Sequence, residues 1–110
     1  MTPSRLQQLL KFLESTPNDS FLTFALAKEY EQVDEWEKAL QHYLKLIEND
    51  PEYVGTYYHL GKLYERQEAF DKAFFIYKKG MEIAREIGDQ HALNELAAAK
   101  LNLGEEEDFE

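Results

Sequence analysis

Two aromatic–lysine pairs offer the most distinctive chemistry in this 110-residue chain. Phe24 precedes Lys28 by one helical turn's worth of sequence, and Tyr58 precedes Lys62 by the same step. On a helix, that i, i+4 step stands each ammonium beside its ring. Arg66 follows Lys62 by another such step and extends a basic strip. Rings flanked by cations suit an extended peptide or a helix that carries acidic groups. The plainer alternative is that the rings pack on neighbouring helices and the lysines are solvated.

Other chemistry is thinly represented. The three histidines, His42, His59 and His91, have no partner at metal-ligand spacing, and no HExxH occurs. Cysteine is absent, which excludes disulfides, thiolate metal sites and a cysteine nucleophile. Neither GxxxxGK[ST] nor GxSxG is present. The carboxylates are scattered over polar helix faces, whereas a catalytic pair needs two in one cleft. No catalytic residue, metal or cofactor is therefore expected. Trp36, matched by Phe70, reads as a packing residue at the start of a helix.

Charge narrows the partners. Acidic residues number 22 against 12 basic ones, for a net charge of −10. Five of the acids lie after Gly104, and the rest of the chain carries −5. Such a body opposes nucleic acid and anionic membranes, which are bound by dense Lys and Arg. No run of 18 apolar residues and no signal-like apolar segment occurs, so a soluble cytoplasmic protein is expected. With 44% hydrophobic and 14% aromatic residues, a packed core can form.

The elements that must hold these side chains are legible as a repeat. Pro17 and Pro51, Leu26 and Leu60, Ala27 and Gly61, Tyr30 and Tyr64, Ala39 and Ala73, and Tyr43 and Tyr77 are all separated by one common interval. That interval, roughly 34 residues, is in the range of helical repeat units. The two aromatic–lysine pairs are separated by the same interval. The matched positions are large apolar, small, or proline, which is the mark of a packing constraint. Within a unit the spacing is helical: Leu22, Leu26, Tyr30 and Val33 form one stripe, and Leu40, Tyr43, Leu44 and Ile47 the next. Ala27 and Gly61 mark places where helices cross closely. Thr16-Pro17 and Asp50-Pro51 mark helix ends, and Asp34 and Asp71 lie near helix starts. Gly88 ends a longer helix, and Asp89 is a good N-cap for the next.

This pattern resembles the tetratricopeptide repeat (TPR) family. The first unit carries Leu26, Ala27, Tyr30, Ala39, Tyr43 and Pro51 at signature positions. The second carries Tyr57, Leu60, Gly61, Tyr64, Ala73 and Tyr77, with Arg85 in place of the closing proline. The resemblance implies an all-α, right-handed α-solenoid of about six antiparallel helices. It is read as one domain over residues 1–103. A lone N-terminal helix leads into full repeats at about 20–53 and 54–88, and a capping helix follows at about 89–103. Residues 104–110 are read as a disordered acidic tail.

Function follows from the same resemblance. In this family the first helix of each repeat lines a concave groove that binds other proteins. That places Phe21, Phe24, Lys28, Tyr58, Lys62 and Arg66 on the binding surface. The expected role is a non-catalytic adaptor or scaffold for a peptide or helix of a partner protein, including an acidic one. The family members that grip chaperone tails use Lys and Asn where this chain has Phe24 and Lys28, so that clamp is not expected. The alternative is a structural unit that homodimerises through its terminal helices, with Leu93, Ala97 and Leu101 forming an apolar line on the capping helix.

Overall fold

The computed structural model describes residues 4–109; the outermost ends of the expected domain and tail, Met1–Pro3 and Glu110, lie outside the described residues. Among the described residues are six α-helices: α1 (Arg5–Ser15), α2 (Ser20–Gln32), α3 (Trp36–Asn49), α4 (Gly55–Arg66), α5 (Phe70–Ile87) and α6 (Gln90–Leu103). A short 3-10 helix follows at Glu106–Phe109, and no strand occurs among the described residues. The fold is an all-α helical repeat.

Side-chain caps start three of the helices. Ser4 and Gln7 form a reciprocal capping box at α1. The Asp19 carboxylate accepts from the Leu22 N–H at α2, and Asp89 accepts from the Ala92 N–H at α6. The second helix of each repeat has no side-chain cap. Each instead follows a tight turn whose pivot is left-handed: Asp34 at φ 60° and Glu68 at φ 59°, equivalent positions of the two repeats. Asp34 thus serves as a turn residue outside α3, whereas Asp71 lies in the first turn of α5, where the helix dipole favours it. Gly88, at φ 76°, ends α5 in the left-handed conformation that glycine adopts without strain.

The helices pack into two compact units that divide between Tyr53 and Val54. In the first unit α2 packs on α3, and α1 docks on α2. Leu26, Ala27, Ala39 and Tyr43 are fully enclosed, with Leu9, Tyr30 and Leu46 at the edge of this core. The Ser20 hydroxyl donates to Asp50 at 2.6 Å and ties the start of α2 to the end of α3. Fully burying a side chain such as Leu26 contributes about 1.5–3 kcal/mol.

In the second unit α5 lies against both α4 and α6. Tyr57, Leu60, Leu63, Ala73, Phe74, Tyr77 and Leu96 fill it. Two glycines set the helix spacing. A Cβ on Gly61 would run into the Tyr77 ring, and one on Gly80 would stand 2.5 Å from Tyr57 Cβ. Neither position admits a methyl without movement.

Three expectations are revised. Trp36 and Phe70 are 40% and 44% exposed, because each is the first residue of its helix and borders a turn. Tyr64 is half-buried, unlike the enclosed Tyr43 and Tyr77. The segment after Gly104 is read from sequence as disordered, yet Glu106–Phe109 forms a 3-10 turn whose Phe109 ring stacks on Phe74, with centroids 4.4 Å apart. An apolar residue at the end of an acidic run gives that run something to bury.

Candidate functional site

The candidate face of the first unit is built on α2. Phe24 is half-buried, its ring 5.5 Å from Tyr53 and 6.2 Å from Tyr43, so neighbouring rings fix its position. One turn on, Lys28 Nζ lies 5.7 Å from the Phe24 centroid, within cation–π range. Phe21, one turn earlier, is 62% exposed. Arg5 reaches over from α1 and pairs with Glu29 at 3.4 Å. Arg5, Phe21, Phe24, Lys28, Glu29 and Gln32 line a surface recess of about 320 Å³, which brings two rings, two cations and one carboxylate together.

The second unit repeats the arrangement on α4. Tyr58 is half-buried, 6.4 Å from Tyr77, and Lys62 Nζ lies 5.4 Å from its centroid. Lys62 also pairs with Glu65 at 3.5 Å, and Arg66 is exposed at the end of the helix. The six residues expected from sequence therefore fall into two groups, Phe21, Phe24 and Lys28 on α2, and Tyr58, Lys62 and Arg66 on α4.

Four further side chains support these faces. The Tyr43 hydroxyl donates to the Glu31 carboxylate, and the Tyr77 hydroxyl donates to Glu65. Burial pushes both hydroxyls above the ordinary tyrosine range, and for Tyr77 the bond and charge of Glu65 push the same way. Both tyrosines thus stay protonated and donate at neutral pH. Each bond fastens the second helix of a repeat to the last turn of the first, just beyond the lysine. The sequence pattern places Tyr43 and Tyr77 at packing positions and does not show these two bonds. The shared repeat interval was the available signal for the pairing. Arg5 has no such signal, since the residue one repeat further on is Ala39 in α3.

On α6, Leu93 and Ala97 are half-buried and Leu101 is 66% exposed, while Leu96 and Ala99 face inward. Among the described residues no cluster of three or more His, Cys, Asp or Glu is placed to hold a metal. Nor is any helix among them long and apolar enough to cross a membrane.

Comparison with known proteins agrees with the repeat. Family models for the TPR repeat and the tetratricopeptide repeat match residues 27–68 and 54–87. No curated protein matches the chain. The solution structure of a tetratricopeptide repeat domain protein from Salinibacter ruber is similar at 50% identity and a TM-score of 0.76, over 79% of this chain and 88% of that one. A crystal structure of a tetratricopeptide repeat domain protein from the same organism matches at 49% identity and a TM-score of 0.73, over 84% of this chain and 99% of that one. A protein from Bordetella parapertussis shares 26% identity and a TM-score of 0.77 over 93% and 89% of the two chains. With helix pairs recurring at one interval, small residues at the crossings and half the aligned residues shared with a named repeat protein, the chain belongs to the tetratricopeptide repeat family.

Proposed function

We propose that this chain is an adaptor that binds acidic, partly apolar segments of another protein, each unit through its own lysine-bearing face, α2 in the first and α4 in the second. Repeats of this family generally mediate protein–protein interaction and are generally non-catalytic. The observation that carries the finer reading is that each unit carries the same ring-and-lysine arrangement on its own helix. Lys28 lies over Phe24 and Lys62 over Tyr58 at nearly equal distances, on a molecule whose net charge is −10. A half-buried ring beside a cation binds an apolar side chain and a carboxylate together. In the first unit the 320 Å³ recess adds room for one large side chain next to Phe21.

The test is the double variant Lys28→Glu, Lys62→Glu. Both side chains reach solvent, so helicity by circular dichroism should stay unchanged. Affinity capture from source-cell lysate, quantified by mass spectrometry, should lose a defined partner with the variant. The affinity of that partner should fall about tenfold or more, as reversal of a complementary charge costs more than its removal. An identical set of captured proteins would refute the α2 and α4 reading. It would direct attention to the second one, homodimer formation along Leu93, Ala97 and Leu101, which the high exposure of Leu101 favours.

A further inference from the structure

The α5–α6 side of the second unit carries a second ring-and-cation constellation, and part of the chain is already seated on it. Phe74 on α5 is fully enclosed; Phe109 stacks on it at 4.4 Å with the planes 19° apart, and Lys100 Nζ from α6 lies 4.8 Å from its centroid. Three positions before Phe109, the Glu106 carboxylate accepts a hydrogen bond from Lys78 on α5. The bond and charge of Lys78, with a smaller contribution from Lys100, hold Glu106 below the usual carboxylate range. Lys78, Lys100 and Glu106, with Arg85 and Glu82, border a recess of about 170 Å³. The site thus takes an acid at one position and a ring three positions later.

The seated segment is weakly held. It is one turn of 3-10 helix, too short to persist by itself. Its ion pair is open to water, with the Lys78 and Glu106 side chains 43% and 50% exposed. It joins α6 through Gly104, whose φ of 144° is open to glycine alone. Asp108 is exposed and accepts the Glu105 N–H at 2.8 Å, which shapes the segment from within.

We propose that the Phe74, Lys78 and Lys100 face of α5 and α6 is a binding site for an acidic protein segment with an aromatic residue three positions after the acid, and that Glu106–Phe109 is its displaceable resident. The resident stands in for the partner: its Glu106 marks where a partner carboxylate sits, and its Phe109 where a partner ring sits. A short tether gives it an effective concentration in the millimolar range, so a partner must outcompete it. This site is independent of the α2 and α4 faces.

A blocked, fluorescent peptide of residues 104–109 is the probe, used with the full chain. Opening the site with Glu106→Gln and Phe109→Ala together should raise the peptide's affinity about tenfold over wild type, since the competitor is removed. Adding Lys78→Gln, which keeps the side chain polar where it is 43% exposed, should lower it again severalfold, with helicity by circular dichroism as the check on folding. Amide shifts on peptide addition should cluster around Phe74 and Lys100. Equal affinity for wild type and opened chain, or no binding to either, would overturn the proposal. So would retention of full affinity with Lys78→Gln, or loss of binding with Lys28→Glu and Lys62→Glu, which would put the peptide on the other face.

Discussion

The faces of α2 and α4 carry the same four parts in the same order, yet the helices beneath them are spaced by different means. Phe24, Lys28, Glu31 and Tyr43 correspond to Tyr58, Lys62, Glu65 and Tyr77, each shifted by one repeat. Below them, the first unit has Ala27 where the second has Gly61, and Leu46 where the second has Gly80. Leu46 and Ala27 fill their space. Gly61 and Gly80 instead leave room for the Tyr77 ring and for Tyr57 with Leu96. The second unit must seat α5 against two helices, α4 and α6, whereas α3 has the single large contact with α2. A repeat can thus keep its surface chemistry while its interior volume is redistributed to suit the number of neighbours.

Exchanging the small residues gives the sharpest break in this comparison. Gly80→Ala should destabilise the chain by about 3 kcal/mol in urea unfolding, at the upper end of overpacking, because Tyr57 Cβ is fixed to backbone. Gly61→Ala should cost about 1–2 kcal/mol, since the Tyr77 ring can tilt and alanine returns about 1 kcal/mol of helix propensity. Wild-type stability for Gly80→Ala would mean that the two units are packed alike after all.

Two threonines sharpen the contrast at smaller cost. The Thr23 hydroxyl donates to the Asp19 carbonyl, while the buried Thr56 hydroxyl has no partner among the described residues. Thr56→Val should therefore stabilise by about 1 kcal/mol and Thr23→Val destabilise by about the same amount, read as opposite shifts in melting temperature. Shifts of the same sign would contradict the accounting.

The smallest effect separates the two lysines. Lys62 is tied to Glu65, whereas Lys28 lies against the Phe24 ring. Lys62→Met should lower stability by less than about 0.5 kcal/mol, and only at low salt, while Lys28→Met should leave it unchanged. Equal responses at low salt would remove this distinction between the faces.

Much of this was legible in the sequence, for a physical reason. Leu26, Tyr30 and Tyr43 recur because enclosed positions tolerate little change in volume, so spacing alone shows the helices and their pairing. Phe24 and Lys28 were legible as a pair because the i, i+4 step fixes neighbours on a helix. The contacts that join different helices were harder to read. Nothing local to Tyr77 says that its hydroxyl meets Glu65, and nothing in the acidic run marks Phe109 as a partner of Phe74. Phe24 shows the intermediate case: its ring both packs on Tyr43 and Tyr53 and carries Lys28, so the binding and packing readings of that residue are compatible.

Trp36, the sole tryptophan, stands half-exposed at the head of α3, within the first unit. Its emission is therefore a local optical probe in a chain whose helicity is spread over both units. If the two units melt together, fluorescence and circular dichroism trace the same curve. If α4, α5 and α6 loosen first, ellipticity falls while the indole keeps its native spectrum, so one residue makes the cooperativity between neighbouring repeats visible without any label.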